Sequence, residues 1–407
     1  MVLLKKSQEE LRNGDILLKS VFLFDAQIIN NNRLSMNRQN EMSRVAIFAH
    51  FDPQGVIDDY VVSYLEEIRK ECQTIFFISD GEIKKDELKK INHLITDSLC
   101  KTHGEYDFGS YKKGFFLLKE NYRDYFNQSD EIVFLNDSCY CVGSFAESFA
   151  KAAAVKCDAW SVGYDYSGSH YYLQSYFFVL RKSAFTQNYV ESFFRNITRQ
   201  KSKDLIIKNY EMGLSKILLD NKCQLFSCYS SDEINMFASQ NKERINCDLK
   251  EIFVNFPQFS LKKVSGDIFD ESKLNYVHSN KFFLLLSMGF PLIKRAIIDS
   301  SIIIFDDQKL IFFWKEILRF KGMDKQCSTI LSHLNKIGKA DKNPNMLYSV
   351  ARKIKFRLFK MMRKDFLFMC KKTKKGALVV KVLKIPVFYV RNFDKRKEFK
   401  SDKGNYA

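Results

Sequence analysis

Side chains able to bind a ligand or move a proton recur where apolar runs of this 407-residue chain end. VAIFAH closes on His50 and, two positions on, Asp52, QTIFFISD closes on Ser79 and Asp80, and EIVFLND closes on Asn136 and Asp137. Between the last two, the polar segment HGEYDFG carries Asp107. Carboxylates gathered in one cleft can hold a cation or take the proton of a hydroxyl. Asp and Asn also dominate turns and caps, so any one of these positions has a purely structural reading. As the joint lining of one cleft they point to function. Further along, SGSHYYLQSYFFVLRK joins a loop of Ser, Gly, His and Tyr to a strand. With His170 and Gln174 in it, such a loop can hydrogen-bond and stack on a polar ring, which suits a sugar. A plain surface loop is the other reading.

Several chemistries lack their residues. The sequence contains no G-x-x-x-x-G-K-[ST], no G-x-S-x-G, no H-E-x-x-H and no C-x-x-C. Cys139 and Cys141 form a lone C-x-C, expected as two packed thiols. The six histidines share no helical ligand spacing, and only His50, His103 and His170 fall in or beside the expected cleft loops.

These residues need a scaffold whose strand ends meet. VAIFAH, QTIFFISD, a segment near Ser98–Thr102 and EIVFLND read as short buried strands. Ile57, Tyr60, Val61, Tyr64, Leu65 and Ile68 follow a helical stripe. Further helices are expected through Leu88–Ile95, from about Ser110, after Ser144 (whose spacing to Glu147 is that of a capping box), through FTQNYVESFFRNI, and from Tyr210 to near Asp220. Glu211 would then stand at a helix N-terminus, a place the macrodipole alone favours for an acid. The alternation predicts an α/β domain around a mainly parallel sheet, with ligands bound beyond the carboxyl ends of the strands.

Composition narrows the class. With 46% hydrophobic residues the chain can bury a large core, and its ten scattered cysteines are not a secreted disulfide framework. The first residues, MVLLKKSQEELRNGD, lack the apolar region of a signal peptide, so reduced thiols and a cytoplasmic location are expected. No apolar run is long enough to span a bilayer. The net charge of +17 is concentrated: residues 351–400 hold 18 Lys/Arg against 3 Asp/Glu, leaving the body close to neutral. There, Val350, Ile354, Leu358, Met361, Met362 and Met369 can share one helical face, and Lys353, Arg357, Lys360 and Lys364 another. A basic amphipathic helix reads as a membrane-surface element, with a helix packed on the body and a nucleic-acid contact as the other readings. The expected division is an N-terminal extension over 1–43, a main domain over 44–300, a helical subdomain over 301–350 and a basic amphipathic tail over 351–407.

The ordered series AHFDPQGVIDDYVVSYL, FFISDGE, EYDFGSYKKG, FLNDS, LQSYFFVLRKSAF and YEMGLS resembles the rhamnan synthesis protein F family, and FPLIKRAII from Phe290 is similar to its downstream end. The resemblance implies a GT-A-like, Rossmann-type fold with a C-terminal α-rich basic extension. It also implies a glycosyltransferase building rhamnose-containing cell-surface polysaccharide. On that basis His50, Asp52, Asp80, Asp107, Asn136 and Asp137 would bind a nucleotide-sugar donor. Asn136-Asp137-Ser138 takes the place of the D-x-D motif, so Asp137 would be the ligand of a Mg²⁺ or Mn²⁺ ion held partly through the diphosphate. Glu211 would be the catalytic base, with His170, Gln174 and Tyr210 at the acceptor. Two departures, His103-Gly104-Glu105-Tyr106 for the family's Asn-x-Gly and Trp160-Ser161 for its Trp-Gly, bear on the donor sugar more than on the fold. The implied reaction moves rhamnose or a related deoxyhexose, with inversion, from a donor such as dTDP-rhamnose to a lipid-linked rhamnan- or lipopolysaccharide-type precursor. The tail would hold the enzyme on the anionic cytoplasmic face of the membrane, with no nucleic acid as partner. The alternative is a non-catalytic sugar-nucleotide-binding partner of another transferase.

Overall fold

The computed structural model describes residues 42–167, 170–254, 282–298, 314–338, 368–372, 378–382 and 385–390, for 164–167, 170–171 and everything after 338 the backbone alone. The strand signal at SVFLFDAQII and the tail from Val350 to Met362 lie outside the described residues. The chain divides into two compact units, Met1–Ala340 and Asp341–Ala407.

The first unit is built on strands β1 (Arg44–His50), β2 (Thr74–Ser79), β3 (Asp97–Cys100), β4 (Glu131–Asn136), β6 (Ala159–Ser161), β9 (Phe177–Arg181) and β10 (Leu225–Ser227), in the order β10-β6-β9-β4-β1-β2-β3. Every residue of β1, β2 and β4 is buried, as strands covered on both faces must be. All neighbours run parallel except β9, which lies antiparallel to both β4 and β6. The expected mainly parallel sheet flanked by helices is therefore what the chain adopts. The reversed strand is the addition. Two short pairs stand apart: β5 (Cys139–Cys141) with β11 (Leu292–Lys294), and β7 (Tyr164–Ser167) with β8 (His170–Leu173), both antiparallel.

Aromatic rings fill the layer between sheet and helices. Phe134 stacks on Phe178 at 4.7 Å and on Phe194 at 5.3 Å. At the amino end of β4 the buried Glu131 accepts from Arg44 Nε at 2.9 Å, Trp160 Nε1 at 3.1 Å and Arg181 Nε at 3.1 Å, tying β1, β4, β6 and β9 through one carboxylate.

The helices depart from expectation in instructive ways. Helix α1 (Asp59–Ile68) buries the stripe read from sequence. The helix expected from Ser110 begins four residues earlier, as α2 (Tyr106–Asn121), placing Asp107 in its first turn. The capping box expected at Ser144 and Glu147 is not formed. Helix α3 (Ala146–Ala153) is entered through Phe145, whose ring lies between Tyr64 and Phe177, while Ser144 Oγ accepts only from the Ala146 N–H. Ring packing fixes that entry angle, and the Ser144 side chain is left to a local turn. Nor does Glu211 begin a helix. It ends a π-helical turn (Ile207–Glu211) between a short helix (Lys203–Ile206) and α4 (Met212–Asp220), inside one continuous helical run. In the second unit, β12 (Phe368–Lys372), β13 (Leu378–Val382) and β14 (Ile385–Val390) form an antiparallel meander. Met369, assigned by periodicity to a helical face, is therefore a strand residue, because β12 pairs in register with β13.

Gly114 lets α2 lie close on the sheet: a Cβ there would stand 2.4 Å from Ile47 Cγ2 and 3.2 Å from Ile78 Cγ1. Gly114→Ala should lower stability by about 1–3 kcal/mol despite the better helix propensity of alanine, because the added methyl overpacks the β1–β2 face. The midpoint of a urea unfolding curve measures it, and an unchanged or raised midpoint would contradict this packing.

Candidate active site

The sheet order turns between β1 and β4, with β2 and β3 on one side and the later strands on the other, which makes the carboxyl ends of β1 and β4 the natural ligand crevice. Asn136 and Asp137 leave β4 there. Asn136 donates through Nδ2 to Asp107 Oδ2 at 2.9 Å, and its Oδ1 accepts from the backbone and hydroxyl of Ser138 at 3.1 and 2.6 Å. Asp137 Oδ2 accepts from the Phe51 N–H at 3.3 Å and faces His50 Nε2 at 3.9 Å and Arg295 Nη1 at 3.7 Å. His50 is buried, with Nδ1 3.2 Å from Ser79 Oγ. Burial pushes its pKa below the usual histidine value against the pull of Asp137 and Asp52, so the ring is neutral at neutral pH.

Glu211 reaches the same crevice from the π-turn. Its Oε1 accepts the Ser175 N–H at 2.7 Å, and the Ser175 carbonyl in turn accepts the Tyr111 hydroxyl at 2.7 Å. Burial pushes the Glu211 carboxyl above its ordinary pKa. The Ser175 hydrogen bond and Lys294 pull it back, and Asp107 adds to the rise. Asp107 is raised for the same first reason, burial, opposed by the Phe108 N–H, Lys294 and Asn136. Two carboxylates thus feel one another and one lysine. An acid whose charged form is disfavoured by burial has the chemistry to take a proton from a hydroxyl.

Other expected site residues have different duties. Asp52 Oδ1 accepts from the Gln54 and Val56 N–H groups at 2.8 and 3.1 Å, closing the turn after β1. Asp80 Oδ1 accepts from the His103 and Gly104 N–H groups at 2.7 and 2.8 Å and so pins the loop between β3 and α2. Gln174 is buried beside Ser175. For His170 the structure describes a backbone position in β8 and no side chain. Tyr210 belongs to the core: its ring packs on Phe108, and its hydroxyl donates to the Thr198 carbonyl at 2.8 Å and accepts from Gln200 Nε2 at 2.6 Å.

Sequence reading by residue type missed Lys294 and Arg295. The signal was present as two adjacent bases in the apolar run FPLIKRAII. Lys294 Nζ lies 3.5 Å from Ser138 Oγ and 4.0 Å from the centre of the Tyr176 ring. Arg295 Nη1 donates to the Asp137 carbonyl at 3.0 Å and to the Tyr60 hydroxyl.

The donor set does not fit a divalent cation at Asp137. Only one carboxylate is offered, and the same oxygen already faces a guanidinium and a backbone N–H. Among the described residues no three His, Cys, Asp or Glu side chains group as metal ligands, and Cys139 and Cys141 are free thiols.

Residues 75–244 match the family described as rhamnan synthesis protein F, a span that contains Asp80, Asp107, Asn136, Asp137 and Glu211 and stops short of Lys294 and Arg295. The match covers less than half of the chain. Among solved structures the chain is similar to S. aureus TarS 1–349, at 9% identity over 87% of this chain and 100% of that one, TM-score 0.29. It is also similar to the mannosyltransferase Ktr4p from S. cerevisiae in complex with GDP, at 8% identity over 42% of this chain and 70% of that one, TM-score 0.26. None of the curated proteins compared matches the chain.

A carboxylate whose folded pKa is raised binds more protons folded than unfolded, so its burial costs stability above that pKa and nothing well below the unfolded value. Glu211→Gln keeps an acceptor for the Ser175 N–H and removes the buried charge. It should raise the melting temperature at pH 8, with the gain shrinking as the pH falls and gone below about pH 4. A loss at pH 8 would mean that Glu211 is a stabilising, fully satisfied ion.

Proposed function

We propose that the chain is a glycosyltransferase of cell-surface polysaccharide synthesis that transfers rhamnose or a related deoxyhexose from a nucleotide-sugar donor, dTDP-rhamnose foremost, to a lipid-linked acceptor with inversion. The observation that carries this reading is Glu211, a buried acid that accepts the Ser175 N–H and is raised above its ordinary pKa by burial, within the electrostatic reach of Asp107 and Lys294. In the proposed reaction an acceptor hydroxyl gives its proton to Glu211 as its oxygen bonds the anomeric carbon. The bond from that carbon to the diphosphate breaks, and the electron pair leaves with the nucleoside diphosphate. Asn136, Asp137, Asp107 and His50 border the donor side, and Gln174 lies toward the acceptor.

The tail is proposed to hold the enzyme on an anionic membrane surface at the cytoplasmic face. What supports this is charge: 18 Lys/Arg against 3 Asp/Glu in residues 351–400. Each basic residue at such a surface is worth about 1 kcal/mol. Among the described residues no helix is long and apolar enough to cross a membrane.

Purified protein incubated with dTDP-rhamnose and a lipid-linked acceptor should release dTDP in an acceptor-dependent way. Glu211→Gln should lower turnover about 10²-fold or more with donor binding nearly unchanged. Donor binding without acceptor-dependent release would mark a sugar-nucleotide-binding partner of another enzyme instead. Truncation after Ala340, the boundary of the first unit, should keep activity on a water-soluble acceptor and lose binding to vesicles rich in anionic lipid. Binding by the full chain should weaken with salt. Equal vesicle binding by the two chains would remove the membrane assignment.

A further inference from the structure

A leaving diphosphate needs positive charge, and the residues at Asp137 do not fit a metal that would supply it. The charge is present in another form. The end of β4 runs directly into β5, and β5 is paired by backbone with β11, Lys294 opposite Cys139. The Arg295 N–H donates to the Ser138 carbonyl at 3.0 Å, and the Val142 N–H to the Pro291 carbonyl at 2.8 Å. Those bonds set two consecutive cations against two consecutive residues of the strand end, Arg295 against Asp137 and Lys294 against Ser138.

The two cations are differently committed. Arg295 is spent partly on the protein, through the Asp137 carbonyl, the Tyr60 hydroxyl and the face of the Tyr60 ring at 4.9 Å. Lys294 is half-buried, and its ammonium has a hydroxyl and a ring face for company, with no carboxylate within 4 Å among the described residues. A partly buried ammonium without an anion is costly. Its field nevertheless reaches Asp107, Glu211 and Cys139, so it stands among the site's groups. An entering anion would complete it. A dication would have to enter beside an ammonium and a guanidinium.

Resting on the glycosyltransferase reading, we propose that Lys294 and Arg295 form the diphosphate subsite of the donor, in place of a divalent metal at Asp137. Lys294 meets the phosphate oxygens as a point charge, and Arg295, held by Tyr60 and Asp137, adds its fixed positive charge beside it. When the anomeric bond breaks, the electron pair that passes to the diphosphate is met by these two charges, with no metal ion taking part.

The test uses the full chain and three probes, inorganic pyrophosphate, dTDP and UDP, titrated calorimetrically in excess EDTA and again with millimolar Mg²⁺ or Mn²⁺. At least one nucleoside diphosphate should bind equally in both conditions. Lys294→Met should weaken it about tenfold or more, equal to about 1.4 kcal/mol, while Lys294→Arg should restore most of the affinity. Circular dichroism and melting curves should show both variants folded. Binding that appears only with metal, or that Lys294→Met leaves intact in EDTA, overturns the subsite and spares the glycosyltransferase reading. Failure of all three probes to bind the folded wild-type chain under either condition would overturn the donor site itself, and the subsite with it.

Discussion

The crevice exists because a short strand late in the chain is hydrogen-bonded to the segment that leaves β4. Without the β5–β11 pair, Asp137 and Ser138 would be an acidic turn at the end of a strand. With it, they are flanked by two cations from 156 and 158 positions downstream. Backbone bonds fix this register, and side chains then inherit their neighbours from it. Asp137 owes its surroundings to this pairing: one oxygen lies between Phe51, His50 and Arg295, and its carbonyl is taken by Arg295 and Tyr60.

Tyr60 connects this arrangement to a second support. Its ring packs edge-on to Tyr140 and to His333, the Tyr140 hydroxyl lies 2.7 Å from His333 Nδ1, and His333 Nε2 stands 3.7 Å from Asp58, which also binds Lys336 at 2.6 Å. Helix Asp324–Lys336 therefore braces the start of α1. The position of Arg295 is thus set from both sides, by strand pairing and by a polar and aromatic wedge whose parts lie far apart in sequence. Side-chain rotamers held in this way lose less freedom when a ligand arrives.

Much of the scaffold was legible because buried parallel strands leave an unmistakable mark. VAIFAH, TIFFIS and EIVFLN are buried throughout and apolar except at their ends, and the α1 stripe repeats at helical spacing. The reversal of β9 was not legible, since SYFFVL is equally apolar in either direction. Asn136 and Asp137 do lie at a strand end and Asp107 meets Asn136 there from the first turn of α2, while Asp52 and Asp80 make the turn and loop bonds that aspartate ordinarily favours. Glu211 lay in the crevice without being a helix start. A π-turn is a tertiary outcome that propensity does not encode. Lys294 and Arg295 escaped because charge spacing along a chain says nothing of pairing across 150 or so residues, and only the register of β11 brings them home.

The two buried glutamates show why incompleteness separates function from support. Glu131 is met on both oxygens by two arginines and an indole N–H, so its charge is fully compensated and it serves to tie four strands together. Removing one partner there would leave an uncompensated ion, and no ligand is needed to explain its burial. Glu211 has the Ser175 N–H and side chain as hydrogen-bond partners and feels Lys294 from a distance, with a second acid, Asp107, working against it. Its charged form is therefore held at a disadvantage that protonation relieves. Lys294 has an aromatic face and a hydroxyl as its near neighbours, with no carboxylate within 4 Å among the described residues. An acid short of cations and a cation short of anions, placed in one crevice, are what a reaction that moves a proton one way and a diphosphate the other would use. At the amino end of β4 the same residue types are balanced and do no chemistry. At its carboxyl end Glu211 is left with its charged form disfavoured, the kind of stability cost that functional sites carry.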